Sequence, residues 1–154
     1  MEKVANIKGK IKAISVSQRR GTQKVNVPQA QLRTDFGIVG DAHAGDWHRQ
    51  VSLLAVESID KMVAKGAKVS PGDFAENITT EGIDLLKLSI GSKLKLGEGV
   101  ELEVTQFGKK CHDKCEIFRQ VGDCIMPREG IFAKVTKAGR ISIGDVVEVI
   151  SNND

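Results

Sequence analysis

The chain has few aromatic side chains and no tyrosine. One Trp and five Phe make up 4% of its 154 residues, and its net charge is only +3. Proteins that bind single-stranded nucleic acid stack the bases on aromatic side chains and follow the phosphates with a strongly basic groove. We therefore expect no nucleic-acid partner, and the mild positive charge suits an anionic small molecule better.

Long apolar runs are also missing. None approaches the roughly 20 residues that a membrane-spanning helix needs, and no apolar segment of a secretory signal stands at the N-terminus. The chain has only three cysteines. An odd number of so few cysteines argues against a disulfide scaffold and for a reducing compartment. With 40% hydrophobic residues, the sequence predicts one cytoplasmic domain over residues 1–154, away from membranes.

Period-two alternation and β-branched runs indicate short strands separated by glycines, of which the chain has 16. Such strands are predicted over residues 7–17, 92–96, 100–106, 131–136 and 146–150. Many short strands and glycines favour a mostly β protein with a closed or nearly closed barrel. An apolar stripe over residues 55–65, ended by Gly66, predicts one short helix, and residues 82–88 form a second short helix or a turn.

Two segments of the sequence echo each other. Residues 88–96 and 141–149 each carry Ser-Ile-Gly just before a strand. The segments between them do not match, so we interpret the pair as two similar barrel corners and not as a repeat array.

All three cysteines lie within fourteen residues of one stretch, residues 108–132, which we call the cysteine stretch. Nearby lysines and arginines favour the thiolate, which can act as a nucleophile, a soft metal ligand or the carrier of a persulfide. The alternative is that each cysteine is a small buried hydrophobic residue. Three cysteines so close together favour chemistry for the set Cys111, Cys115 and Cys124.

A structural zinc site is a competing interpretation of the same stretch. It would use Cys111, His112, Cys115 and Cys124 as a tetrahedral set. The adjacent Cys111 and His112 rarely reach one metal together, and no C-x-x-C pair is present. The spacing therefore counts against zinc.

A second candidate region is the loop of residues 41–49, which we call the histidine loop. His43, His48 and Arg49 lie there beside two aspartates, a set that can bind a metal, an anion or a proton in transit. The alternative is a solvated loop whose His and Asp side chains cap turns. Arg49 precedes a buried-looking run and is better placed for an inward role.

Several ordered motifs carry a resemblance over nearly the whole chain. They are R-G-T-Q-K at 20–24, G-I-V-G-D-A-H-A-G at 37–45, H-R-Q-V-S-L-L at 48–54, P-G-D-F-A-E-N-I at 71–78, and the cysteine stretch. In this order they resemble the MOSC domain family, named after the C-terminal domain of molybdenum cofactor sulfurases, and its short stand-alone bacterial members most. The resemblance implies a β-barrel of complex topology, like the barrel domain of pyruvate kinase.

The resemblance also implies a function. Such a domain binds molybdenum or the molybdenum cofactor (molybdopterin), or carries sulfur on a cysteine for the assembly of a metal–sulfur centre. Cys115 best matches the family's functional cysteine and is the predicted metal ligand, while Cys111 and Cys124 remain alternatives. A molybdoenzyme or a cofactor-biosynthesis protein is the expected partner. The chain has no room for a pyridoxal-phosphate desulfurase domain.

A pterin cofactor brings a phosphate, which the planar fork of arginine holds in a bidentate manner. An amide can hydrogen-bond the edge of a heterocycle, and the resemblance places Asn77 near the site. The histidine loop is predicted to meet the cysteine stretch. The cofactor-binding candidates are therefore Arg33, His43, His48, Arg49, Asn77, Arg128 and Lys134.

Other functions stay open. The chain could be a molybdenum-dependent oxidoreductase subunit that reduces N-hydroxylated compounds, as some relatives do. That role needs a separate electron-donor protein, because no flavin, iron–sulfur or haem motif is present. A plain scaffold barrel without metal is a third possibility. The carrier or binding role is favoured because it requires less additional machinery.

Overall fold

The computed structural model describes residues 7–19, 24–108 and 129–151, and nearly half of them lie in short strands. The helical elements are α1 (Val56–Ala64) and a 3-10 turn at Leu85–Lys87. The strands are β1 (Lys8–Val16), β2 (Val25–Val27), β3 (Gln29–Arg33), β4 (Gly37–Ile38), β5 (Val51–Ala55), β6 (Ile78–Glu81), β7 (Lys93–Leu96), β8 (Val100–Phe107), β9 (Ile131–Lys137), β10 (Gly139–Ser142) and β11 (Val146–Ser151).

Seven of these strands close into a barrel in the order β11-β7-β8-β9-β5-β6-β1, with β1 pairing back onto β11. Neighbouring strands are antiparallel except β5 and β6, which run parallel and are joined through α1. Strand β2 pairs antiparallel with the end of β1. Strands β10, β3 and β4 form a separate small sheet. The predicted fold class, a mostly β closed barrel, is confirmed.

Closure depends on Gly9 in β1. Next to this residue β1 lies between two partners, because Lys10 aligns with Glu81 of β6 and also with Val146 of β11. A Cβ atom on Gly9 would stand 2.3 Å from the carbonyl oxygen of Glu81. Only glycine lets the strands approach this closely where the barrel is joined.

Two apolar clusters stabilise the fold. The larger fills the barrel with inward-facing side chains, among them Leu53, Leu102 and Val135. The smaller lies under α1, where Ile59 and Met62 pack against Phe74 and Phe132. The helix ends at Ala64 and is followed by Gly66, whose φ of +99° suits glycine. The predicted extent of the helix is correct to one residue at each end.

The two Ser-Ile-Gly segments fold alike. In the first, Ser92 Oγ accepts the Ser89 N–H at 2.9 Å, and in the second, Asp145 Oδ2 accepts the Ser142 N–H at 2.8 Å. Their glycines have φ angles of 92° and 94°. Each turn leads into one of two paired strands, β7 and β11, so both are corners of the barrel.

Candidate functional site

The described residues at the two ends of the cysteine stretch lie side by side on the barrel. Its residues 109–128, which include all three cysteines, His112 and Arg128, lie outside the described residues. On either side of them the Gly108 N–H donates to the Gly130 carbonyl at 2.7 Å, extending the β8–β9 ladder. Glu129 is tied to α1 by Ser58 Oγ and Lys61 Nζ, at 2.5 and 2.9 Å. Both ends of the cysteine segment are therefore fixed to the barrel.

His48 of the histidine loop lies at this point. Its Nε2 is 2.7 Å from Gln106 Oε1, and the Gln106 amide donates to the Gly108 carbonyl at 2.7 Å. An amide oxygen only accepts, so His48 Nε2 is the donor of this pair. The Thr105 hydroxyl lies between the His48 and Phe132 carbonyls and can donate its one proton to either of them. The histidine loop thus lies beside the described ends of the cysteine stretch, whereas its predicted meeting with the cysteines themselves falls outside the described residues and stays a prediction.

Arg49 lies beside His48, between two aromatic rings. Its Cζ is 4.5 Å from the centre of the Trp47 ring and 5.7 Å from that of Phe132. Such contacts favour a guanidinium that has lost part of its water. Arg49 Nε is buried and has no hydrogen-bond partner among the described residues. A buried donor without an acceptor costs about 1–3 kcal/mol, so this group suits an anionic ligand.

At the other end of the histidine loop, Asp41 forms a buried ion pair with Lys24. Lys24 Nζ is 2.8 Å from Asp41 Oδ1, and the two side chains are 1% and 0% exposed. Burial raises the pKa of Asp41, but hydrogen bonds from Lys24 and from the Ser17 and His43 N–H groups, with the Lys24 charge, outweigh it. The net effect holds this pKa below its ordinary value of 3.8. His43 Nδ1 lies 3.2 Å from the same ammonium.

Trp47 connects the two ends of the loop. Its indole N–H donates to the His43 carbonyl at 2.8 Å, while its ring contacts Arg49 and meets His48 edge to face, with the centroids 6.0 Å apart. Neither Trp47 nor Lys24 was predicted as a site residue from the sequence. The signal was present, since Trp47 is the only tryptophan and stands directly before His48 and Arg49.

Asn77 has a different place. Its Oδ1 accepts the Ser52 N–H at 3.0 Å, and its Nδ2 donates to the Ser15 carbonyl at 3.1 Å. These contacts tie three neighbouring strands together and occupy both ends of the amide, so they favour a structural role. Glu76 beside it is also buried and accepts the N–H groups of Gly72 and Phe74 at 2.9 and 3.2 Å.

Two further candidates lie apart from the histidine loop. Arg33 is exposed at the end of β3, with its Cζ 5.0 Å from the centre of the Phe36 ring. Lys134 on β9 is 3.9 Å from Glu103 of the neighbouring strand. No hydrogen bond or ring contact among the described residues joins either of them to His43, His48 or Arg49.

The described residues contain no group of three or more His, Cys, Asp or Glu side chains that could hold a metal ion. The predicted metal ligand Cys115 and the alternative zinc set lie outside them, so both remain predictions.

The family follows from a comparison with known families. A family model described as the MOSC domain matches residues 40–148, which is most of the chain. The chain belongs to the MOSC domain family. This family is related to the molybdenum cofactor. The match begins within the glycine-rich turn before the histidine loop and includes the cysteine stretch.

Solved structures share the fold of this MOSC barrel. The YuaD protein from Bacillus subtilis aligns with a TM-score of 0.80 and 19% identity, over 95% of this chain and 97% of that one. YiiM from Escherichia coli aligns with a TM-score of 0.66 and 18% identity, over 94% of this chain and 71% of that one. At such identities the likeness concerns the fold alone. In sequence, the chain matches no curated protein.

In the part of the chain that the structure describes, no helix has the length and apolar character needed to span a membrane.

Proposed function

We propose that this MOSC domain binds the molybdenum cofactor, or carries sulfur for a metal–sulfur centre, where the histidine loop meets the cysteine stretch. Cys115 is the proposed functional thiol and metal ligand, with Cys111 and Cys124 as alternatives. The proposed partner is a molybdoenzyme or a cofactor-biosynthesis protein that receives the cofactor or the sulfur.

The observation that supports this proposal most is the environment of the Arg49 side chain. Its buried Nε lacks a hydrogen-bond partner among the described residues, and two rings hold the guanidinium in place. An arginine fixed in this way is prepared to bind phosphate or another anionic group through its planar fork. The residues present therefore fit an anionic cofactor.

Each described residue has a separate task in this proposal. Arg49 binds the anionic group, and Trp47 and Phe132 fix its orientation while excluding water from one side. His48, held by Gln106, keeps the loop against the ends of the cysteine stretch. A cysteine thiolate is a soft ligand of the kind that molybdenum accepts and can also hold a persulfide sulfur. The cofactor, when bound, would supply a redox-active metal centre.

Elemental analysis after loading with the cofactor tests the proposal. Wild type and Cys115→Ala are loaded in parallel with Cys111→Ala and Cys124→Ala, which test the alternative thiols, and molybdenum and zinc are measured per chain. We expect wild type to retain molybdenum and Cys115→Ala to lose it. Stoichiometric zinc would support the structural metal site instead. The absence of both metals would contradict both the molybdenum site and the zinc site.

Persulfide trapping separates the carrier from the enzyme. Wild type and variant are first given a small-molecule persulfide, which transfers its outer sulfur to the cysteine thiolate and leaves as a thiol. A carrier then gives a trapped persulfide on wild type and none on Cys115→Ala. If the chain is instead an oxidoreductase subunit, it reduces an N-hydroxylated compound when an electron-donor protein is added, and no persulfide accumulates. We expect the trapped persulfide, because the carrier needs no redox partner.

A further inference from the structure

Strand β8 contains a bulge beside the histidine loop. Between Val104 and Gln106 the strand advances two residues, while β9 advances one, from Ala133 to Phe132. Thr105 is therefore the extra residue of a β-bulge. Bulges are frequent next to functional sites, where they change the direction in which a side chain points.

The bulge determines which way Gln106 faces. Leu102 and Val104 belong to the core inside the barrel, and strict alternation would turn residue 106 inward as well. Gln106 instead aligns with Phe132, whose ring belongs to the apolar cluster under α1, outside the barrel. Paired residues of neighbouring strands project to the same face of a sheet. The Gln106 amide is thus on the outer face, where it meets the His48 ring.

Two consecutive side chains of the bulge hold one residue of the histidine loop. Gln106 Oε1 accepts the proton of His48 Nε2 at 2.7 Å, and the Gly108 carbonyl fixes the orientation of this amide, also at 2.7 Å. The Thr105 hydroxyl lies between the His48 carbonyl and that of Phe132, and the His48 carbonyl is the nearer. The ring and the backbone of His48 are therefore both held from β8.

Arg49 is affected because it directly follows His48. The carbonyl beside the Thr105 hydroxyl belongs to the peptide bond that joins His48 to Arg49. The Arg49 guanidinium lies over the rings of Trp47 and Phe132. Thr105 thus stands between the segment that carries Arg49 and the strand that carries one of its aromatic contacts.

We infer that Thr105 and Gln106 are positioning residues, which act through His48 to hold Arg49 where its Nε–H can meet an anion. This Nε is buried and has no hydrogen-bond partner among the described residues. A substitution that frees the loop lowers the population of its binding-competent form, and the apparent affinity for an anion falls by the same factor. The anion rests on the proposed function, whereas the positioning of the loop does not.

Fluorescence of Trp47 tests the positioning without a ligand, because Trp47 is the only tryptophan of the chain. Thr105→Val and Gln106→Leu should shift its emission to longer wavelength and make it easier to quench with acrylamide. Thr105→Ser keeps the hydroxyl and should resemble wild type. Thr136→Val is the matched control, because the Thr136 hydroxyl also donates to a backbone carbonyl, that of Glu101 near the other end of β8, at 3.2 Å.

The emission of Trp47 has two outcomes that would overturn the inference. One is the wild-type emission in folded Thr105→Val and Gln106→Leu. The other is an equal shift in Thr136→Val, because the barrel would then loosen as a whole. If Thr105→Val does not fold, Gln106→Leu decides the result.

Calorimetric titration with inorganic phosphate tests the consequence for the site. We expect Thr105→Val and Gln106→Leu to bind phosphate about three- to tenfold more weakly than wild type, the factor that corresponds to one net hydrogen bond. Thr105→Ser and Thr136→Val should bind like wild type. Unchanged affinity in variants with shifted Trp47 emission would overturn the role of the two residues in holding Arg49. If wild type binds no phosphate, the anion site of the proposed function fails, and Trp47 emission still decides the positioning.

Discussion

Lys24 and Asp41 form an ion pair that solvent does not reach. Removing one partner of such a pair leaves the other charge uncompensated, which costs about 3–5 kcal/mol. We predict a loss of this size in the free energy of unfolding of Lys24→Met, measured by urea denaturation at pH 7. Lys12→Met, on the exposed face of β1, should change it by less than about 0.5 kcal/mol. Similar losses in the two variants would contradict the assignment of a buried pair.

Glu76 predicts a dependence of stability on pH. Burial raises the pKa of this carboxyl above its ordinary value of 4.5, despite hydrogen bonds from Gly72, Thr79 and Phe74. Above pH 4.5 the unfolded chain therefore binds fewer protons at this residue than the folded one. The contribution of Glu76 to stability is complete below this pH and is lost as the pH rises through the folded pKa.

The test compares wild type with Glu76→Gln by urea denaturation at a series of pH values from 4.5 upward. We expect the free energy of unfolding of wild type to fall more steeply with rising pH than that of the variant. The contribution of Asp41 to stability changes with pH in the opposite direction, because its pKa is lowered. This contribution is lost only as the pH falls below 3.8. Parallel curves for the two proteins would mean that Glu76 titrates as in the unfolded chain.

At the scale of elements, Gly9 of β1 controls closure of the barrel. Gly9→Ala places a methyl group against the Glu81 carbonyl and should cost about 1–3 kcal/mol through overpacking. Gly99→Ala is the matched control, because a Cβ atom there meets nothing within 4 Å and its φ is not positive. Thermal unfolding of both variants measures the difference. Equal melting temperatures would show that the contact at Gly9 relaxes without cost.

The sequence predicted the alternating strands better than the others. Strands β8 and β9 were located to within one residue because buried and more exposed residues alternate along β8, and along β9 from Ala133 onward. Strand β5 was not predicted, since four of its five residues are buried and no alternation remains. Strand β4 has only two residues and takes its structure from pairing with β3, which no local pattern reveals.

Part of the candidate site was also predictable from the sequence. His48 and Arg49 stood out as polar residues in one loop, and the structure brings both to the ends of the cysteine stretch. Gln106 and Phe132 join them only because β8 and β9 pair across that point. Lys24 belongs to the R-G-T-Q-K motif, but its burial depends on Asp41, 17 residues away in sequence. Contacts of this range come from barrel topology.

At the scale of the whole molecule, the barrel explains why distant motifs meet. Strand β5 follows the histidine loop and pairs with β9, which follows the cysteine stretch, so Ser52 lies opposite Phe132. The family match and the fold of the solved relatives establish this scaffold. Function resides in the side chains that the loops add to it, and the ones we propose here are those of the histidine loop and the thiols beyond Gly108.

Molybdenum retention after cofactor loading tests the central claim most directly. We predict that wild type and Arg140→Leu, which changes an exposed arginine of β10, retain molybdenum equally. Arg49→Leu, which keeps an apolar group between Trp47 and Phe132 but removes the donors, should lose most of it, as should Cys115→Ala. Full retention by both Arg49→Leu and Cys115→Ala, measured on folded protein, would contradict a cofactor site where the histidine loop meets the cysteine stretch.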